Sequence, residues 1–351
     1  MKIITVIGAR PQFIKAAPVS RVLREKHTEL IIHTGQHYDS NMSEIFFEEL
    51  NIPKPDYYLA VGSGHHGKQT GEMLAKIEEI VLEENPDCLV VYGDTNSTLA
   101  GALVAAKLHI PVIHIEAGLR SFNKKMPEEI NRIMTDHVSE FLFCPTNTAI
   151  ENLKNENITH NVFNIGDVMY DAVLYNKKLA SEKSNILNEH SLEEKGYHLI
   201  TIHRAENTDN LENMQNILEA FSKIDDVKVW PIHPRTKHKL ESYGIKLEEI
   251  PNLKVIDPVG YLDMLTLEAS AKKIITDSGG VQKEAYFMKV PCVTVREQTE
   301  WVETLEEDAN ILVGTSVDKI LEAVSKDVNP MYREIFGDGH ASEKIVELLE
   351  K

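Results

Sequence analysis

Carboxylates recur where short β-branched runs give way to turns. Asp94 follows the run at 88–92 and Gly93, Glu116 follows the run at 112–115, and Glu128 and Glu129 stand in the first turn of a helix opened by Pro127. Asp94 suits either capping of the next helix or acid/base work. The helix dipole is a sufficient reason for one acid of the 128/129 pair, and Glu129 is expected to be that one. Three separate strand ends offering carboxylates, Asp94, Glu116 and Glu128, fit a reaction that moves protons on two faces of one carbon.

Cations and glycines occupy the other strand ends. In Gly8-Ala9-Arg10-Pro11-Gln12-Phe13-Ile14-Lys15, Pro11 suits a first helical turn, so Arg10 and Lys15 stand near a helix N-terminus, where an anion is favoured. Thr201-Ile202-His203-Arg204 joins a titrating ring to a fixed charge, and His233-Pro234-Arg235 repeats the theme. The most specific local pattern is Thr276-Asp277-Ser278-Gly279-Gly280-Val281-Gln282-Lys283-Glu284. A strand running through Ser278, Gly279 and Gly280 into a helix exposes backbone N–H groups to phosphate, with Glu284 one turn inside, within reach of a ribose diol.

Two other patterns carry less. Gly62-Ser63-Gly64-His65-His66-Gly67 satisfies GxGxxG, yet it does not follow the first strand, as a dinucleotide-binding turn should, and it reads as a loop. His33 and His37 are split by Thr34-Gly35, and His65-His66 lacks a nearby third ligand, so no metal site is expected.

These residues must be held by strands. Runs at 3–7, 29–33, 88–92, 112–115, 141–144 and 162–165, separated by amphipathic stretches such as 69–84, predict βαβ units and a parallel sheet. The rhythm loosens over the polar segment 177–196 and restarts with runs at 197–203, 227–233, 253–256, 273–276 and 291–295. The fold class is therefore α/β, with two Rossmann-like domains, 1–172 and 173–334, facing a central cleft that gathers ligand at the carboxyl ends of the strands. Residues 335–351 form a C-terminal segment with a short amphipathic helix, expected to pack back on the N-terminal domain.

Composition sets the outer limits. With 37 Lys+Arg and 55 Asp+Glu the 351-residue chain carries 37 − 55 = −18, which disfavours nucleic acid and anionic membrane. An anionic ligand would then need Arg10, Lys15, His203, Arg204 and the Ser278 helix start to make its site locally positive. No apolar run approaches the roughly 20 residues of a bilayer span, and no secretion signal is visible. Three scattered cysteines read as reduced thiols of a cytoplasmic protein.

Taken together, Gly8-Ala9-Arg10-Pro11 with Lys15, Gly35-Gln36-His37, Gly93-Asp94-Thr95, His114 through Arg120, Pro127 through Arg132, His203 through Asn207 and Asp277 through Glu284 resemble the non-hydrolysing UDP-N-acetylglucosamine 2-epimerases, in order and over nearly the whole chain. The resemblance implies a GT-B-like fold, a cytoplasmic homodimer, no cofactor, and interconversion of UDP-GlcNAc-type and UDP-ManNAc-type sugars by elimination of UDP to a 2-acetamidoglucal and re-addition. Carried over, Asp94, Glu116 and Glu128 are the acid/base candidates, and Arg10, Lys15 and His203 the groups facing the departing diphosphate. Ser278, Gly279 and Gly280 would bind phosphate, Glu284 the ribose, and Arg132 would orient the carboxylates. Gln36 and His37 mark a possible effector site. Three departures stand out: Gln12 where many members have Glu, Met264 where an aromatic often meets the uracil, and a short loop at 121–126. That loop carries Lys124-Lys125 and, with Gln298 through Glu303, looks more like the subgroup acting on UDP-2,3-diacetamido-2,3-dideoxy-glucuronate. A GT-B glycosyltransferase is the rival reading, in which the three carboxylates would be surplus.

Overall fold

The computed structural model describes residues 1–36 and 53–350. The chain divides into two compact units, Met1–Leu174 with Glu334–Lys351, and Tyr175–Arg333.

In the first unit seven strands pair in parallel in the order β3-β2-β1-β4-β5-β6-β7. They are β1 Lys2–Ile7, β2 Thr28–His33, β3 Tyr57–Tyr58, β4 Cys88–Tyr92, β5 Val112–Ile115, β6 Phe141–Cys144 and β7 Val162–Asn164. Helices α1 Arg10–Lys26, α2 His66–Glu84, α3 Asn96–Lys107, α4 Pro127–Val138, α5 Asn147–Asn155 and α6 Val168–Lys183 alternate with them. Ile3, Ile4, Val6 and Ile7 are wholly buried, as a strand covered on both faces requires. The strand order reverses between β1 and β4, the place where such a sheet opens a crevice at its carboxyl edge.

The second unit repeats this plan with six parallel strands in the order β10-β9-β8-β11-β12-β13. These are β8 Tyr197–Thr201, β9 Val227–Pro231, β10 Leu253–Ile256, β11 Lys273–Thr276, β12 Cys292–Thr294 and β13 Asn310–Leu312. Its helices include α7 Leu211–Lys223, α8 Pro234–Ser242, α9 Tyr261–Ser270, α10 Gly279–Met288 and α11 Val317–Ser325. The buried ammonium of Lys273 reaches the carbonyls of Ala323 and Val324 at 2.9 and 2.7 Å, closing the end of α11. A last helix, α12 Ala341–Leu349, belongs to the first unit: Asp171 of α6 accepts from the backbone N–H of Ala341 at 3.1 Å and of Ser342 at 2.7 Å. Cys88, Cys144 and Cys292 are all free and buried, and burial pushes the Cys88 and Cys292 thiols up to about 12.

The structure corrects the sequence reading in three places. Strands β3 and β13, of two and three residues, are absent from it. The segment that looks loosened from residue 177 is helical as far as Lys183, its charges lying on an exposed helix face. The stretch read as a loop at 62–67 enters helix α2 at His66; Gly62, Gly64 and Gly67 have open space where a Cβ would go, so none is needed for close packing, and the central strand β1 leads to Gly8 instead. The GxGxxG match thus lacks the contacts that give the pattern its meaning.

One amide ties the sheet's switch point together. Gln12 accepts from the backbone N–H of Gly8 at 2.8 Å and of Ala9 at 3.1 Å, and donates to the Tyr92 carbonyl at 2.8 Å and the Thr98 hydroxyl at 3.0 Å. It links the ends of β1 and β4 with both its donor and its acceptor. A carboxylate at this position would set an anion against the Tyr92 carbonyl, so Gln12→Glu is expected to cost about 1–3 kcal/mol. The carboxyl would titrate above its unfolded value, so the loss is greatest at high pH and is recovered as falling pH protonates it. Urea unfolding across pH tests this; a loss that grows toward acid would contradict it.

Candidate active site

Within the first unit, the turns after β4 and β5 bring two candidate carboxylates together with two cations. Arg132 of α4 donates from Nε and an Nη to one oxygen of Asp94, at 3.0 and 2.6 Å, and the neighbouring Asn131 donates to the Asp94 carbonyl at 2.9 Å. Lys15 of α1 is paired with Glu116, and both side chains are nearly buried, at 14% and 6% exposure. Burial raises the Asp94 carboxyl above its ordinary range and Glu116 adds to this, while Arg132 and Lys15 oppose it; Asp94 nevertheless keeps 32% of its side chain accessible. A carboxylate poised this way can exchange a proton with a ligand.

The backbone is strained at this point. Glu116 has a φ of 71°, a left-handed conformation that costs a non-glycine residue about 1–3 kcal/mol. Its N–H and that of Ala117 both donate to the Phe143 carbonyl, at 3.0 and 3.1 Å, so the β5–β6 ladder ends there and the side chain is turned out of the sheet. Opposite, Gly93 has a φ of 63°, and a Cβ on it would lie 3.0 Å from a Glu116 carboxylate oxygen. Glycine makes room for the acid.

Beneath these turns lies a cluster of charges. His114 of β5, wholly buried, has Nδ1 2.7 Å from Asp136 and Nε2 2.8 Å from the Gly93 carbonyl. Asp136 also accepts from Gly118 N–H at 3.2 Å and from Arg120 at 2.6 Å. Burial acts to raise the Asp136 carboxyl, but His114 and then Arg120 outweigh it and hold it below the ordinary range.

Glu129 accepts from Ser121 N–H at 2.8 Å, Ser121 Oγ at 2.9 Å, Phe122 N–H at 2.9 Å and Arg132 at 2.8 Å. Burial would raise it, but these donors hold it ionised below its usual range, so it fixes the loop at 121–126 as well as Arg132. Glu128, the preceding residue, is exposed at the start of α4. Asp94 does not cap the next helix: the cap of α3 is Thr95, whose hydroxyl accepts from Thr98 N–H at 3.2 Å. Gln36 is 8% exposed and spends its carbonyl on Ser97, accepting from N–H at 3.1 Å and Oγ at 2.7 Å, a brace for α3. His37 lies outside the described residues. Arg10 opens α1 directly after the end of β1.

The second unit carries the glycine-opened helix. Ser278 caps α10, its hydroxyl accepting from Val281 N–H at 3.5 Å, so that hydroxyl serves the helix, and Gly279 and Gly280 form the first turn. Glu284, one turn on and 6% exposed, accepts from the Tyr261 hydroxyl at 3.0 Å. Asp277, to which the sequence reading assigns no role, is wholly buried and accepts from the N–H groups of His203 at 3.1 Å and Arg204 at 3.0 Å and from Asn207 at 3.1 Å. It sets the turn that presents His203, whose ring is 49% exposed yet is kept below its ordinary range by desolvation, with Asp277 opposing. Arg204 approaches Glu300 at 3.9 Å, and Arg235 is paired with Asp209 at 2.8 Å. Among the described residues no group of three or more His, Cys, Asp or Glu could hold a metal ion, and no helix is long and apolar enough to cross a membrane.

Two doubly wound units, with paired carboxylates at the strand ends of one and a glycine-opened helix at those of the other, define the GT-B-like class of α/β proteins. The family model described as UDP-N-acetylglucosamine 2-epimerase matches residues 21–350. A UDP-N-acetylglucosamine 2-epimerase homolog of Methanococcus maripaludis is 59% identical over 99% of both chains, and the UDP-2,3-diacetamido-2,3-dideoxy-D-glucuronate 2-epimerase of Pseudomonas aeruginosa is 52% identical over 100% of both. A solved Methanocaldococcus jannaschii UDP-GlcNAc 2-epimerase, in complex with UDP-GlcNAc and UDP, matches with a TM-score of 0.89 and 48% identity, covering 100% of this chain and 99% of that one. The chain belongs to the UDP-N-acetylglucosamine 2-epimerase family and is an isomerase.

Proposed function

We propose that the protein interconverts UDP-GlcNAc and UDP-ManNAc by elimination and re-addition of UDP. A carboxylate removes the C2 proton, the C2–H electron pair becomes the C1=C2 bond, and the C1–O bond breaks to release UDP from a 2-acetamidoglucal. In the return step a diphosphate oxygen attacks C1 while a carboxyl delivers a proton to the other face of C2. The exchange is redox-neutral. The observation that carries this reading is the cluster of Asp94 and Glu116 with Lys15 and Arg132 at adjacent strand ends. Glu128 is the third acid/base candidate, and Arg10, Lys15 and His203 are assigned to the charge that develops on the leaving diphosphate. Ser278, Gly279 and Gly280 are assigned to the phosphates, Glu284 to the ribose. Proton NMR in deuterated buffer tests the reaction: C2 of UDP-GlcNAc should take up deuterium, and no uptake overturns it.

The Asp94 environment yields a pH prediction. Arg132 opposes the effect of burial on Asp94, so Arg132→Met lets that carboxyl rise further and moves the acid limb of kcat/KM to higher pH. Rate at neutral pH is expected to fall on the order of 10- to 100-fold. An unmoved limb would mean that another group titrates.

A second substrate is favoured by one feature. Lys124 and Lys125 are exposed on the loop that Glu129 pins beside Arg132, a position from which an ammonium can meet a C6 carboxylate. Turnover of the diacetamido uronate above that of UDP-GlcNAc, lost in Lys124→Ala/Lys125→Ala, would select it. We also assign the protein to the cytoplasm, in keeping with its buried free thiols, and to a homodimer, in keeping with exposed Ile130 and Met134 one turn apart on α4. Sedimentation at micromolar concentration checks the latter.

A further inference from the structure

We propose that His114 is a positioning residue whose doubly protonated ring locks the Gly93 and Gly118 turns together and thereby sets the separation of Asp94 and Glu116. The inference rests on the reading of those two carboxylates as the proton-transfer groups.

The geometry leaves the ring little choice. Nε2 faces the Gly93 carbonyl at 2.8 Å, and a carbonyl only accepts, so Nε2 carries a proton. Nδ1 faces Asp136 at 2.7 Å. That carboxylate already takes an Arg120 N–H at 2.6 Å and the Gly118 N–H at 3.2 Å, both of which require an acceptor. With Arg120 and Gly118 holding Asp136 as a carboxylate, Nδ1 donates to it, and the proposed ring carries a proton on each nitrogen. Arg120 is in turn held by Glu156, at 2.7 and 2.9 Å, so the buried chain runs Glu156, Arg120, Asp136, His114 and ends on a backbone carbonyl.

Both ends of the bridge lie beside the chemistry. Gly93 directly precedes Asp94, and its missing Cβ leaves the space that Glu116 occupies. Gly118 is two residues past Glu116, whose left-handed backbone persists only if the turn around it is fixed. A buried cation tied to two acceptors is costly unless fully satisfied, and here it is. Rotation of the Gly93 peptide would redirect Asp94 and close the gap in front of Glu116. The bridge fixes the backbone around Asp94 and Glu116, whereas Ser278, Gly279 and Gly280, assigned to the phosphates, belong to the other unit, so the bridge acts chiefly on proton transfer.

The test separates positioning from general stability. In His114→Asn, kcat and the C2 exchange rate should fall on the order of 100-fold, the cost of a misplaced reacting group, with KM and UDP affinity within about twofold. Asp136→Asn should lose a similar factor, and the double variant should be no worse than either single one, because the two act as a unit. Full kcat in His114→Asn, a parallel fall in UDP affinity, or losses that multiply in the double variant would each overturn the proposal. Should the variants not fold, the wild-type enzyme decides: 15N-histidine spectra at about pH 8.5, where exposed imidazoles are neutral, should keep one ring with protons on both nitrogens, and rings all singly protonated overturn it. Glu116→Gln measured alongside distinguishes the two failures. Exchange that survives in Glu116→Gln removes the carboxylate reading, whereas exchange lost there but intact in His114→Asn removes only this one.

Discussion

Glu116→Gln abolishes deuterium uptake at C2, lowering kcat by at least about 1,000-fold, while UDP binding stays within about twofold of the parent. The substitution removes a titrating group and almost no volume. Gln still offers Lys15 a carbonyl acceptor, so the ammonium, 14% exposed, is not left bare, and the melting temperature should move little. UDP affinity is assigned chiefly to the other unit, through the α10 N-terminus, and Lys15, the cation beside Glu116 assigned to the diphosphate, keeps its charge in the variant. Calorimetry with UDP and NMR exchange with UDP-GlcNAc read the two properties separately. Lost UDP affinity with intact exchange would show that Glu116 belongs to binding.

Gly118→Ala carries the largest expected effect on folding. Gly118 has a φ of 80°, and a Cβ there would stand 2.4 Å from the Ala149 carbonyl oxygen, a backbone atom of α5 that cannot swing aside. The left-handed conformation costs about 1–2 kcal/mol and the enforced shift of α5 about 1–3 more. The sum, roughly 2–5 kcal/mol, should appear as a lowered first transition in urea or heat, with exchange activity lost in proportion to unfolding. A variant of parental stability would mean that the turn relaxes in a way the packing around Ala149 does not suggest. Gly93→Ala is the milder counterpart, since its Cβ would meet the end of a side chain.

Much of this fold can be read from residue order. Buried parallel strands announce themselves as β-branched runs, and a ligand site at their carboxyl ends follows from topology, which is why Asp94, Glu116, His203 and Ser278 stand out as strand-end residues. Finer detail escapes for physical reasons. Whether Asp94 or Thr95 caps α3 turns on a one-residue register that local preference cannot resolve. The left-handed Glu116 has no compositional signature, because strain is imposed by the packing of β5 on β6. His114 and Asp136 are 22 residues apart, and Asp277 and Arg204 are 73 apart; only the folded sheet makes neighbours of them. Glu129 is the opposite case. Its place in a first helical turn signals a structural acid, and the structure adds what it holds: Ser121, Phe122 and Arg132.

The buried thiols have a practical consequence. With Cys88 and Cys292 pushed up to about 12, and Cys144 also raised by burial, almost no thiolate forms at neutral pH and none of the three sulfurs meets solvent freely. Maleimide dyes should therefore ignore the native chain. Cysteines introduced at exposed positions such as Lys107 and Glu206 would be modified alone, making the enzyme a ready-made scaffold for paired fluorophores, one on each unit, with no prior removal of its own cysteines.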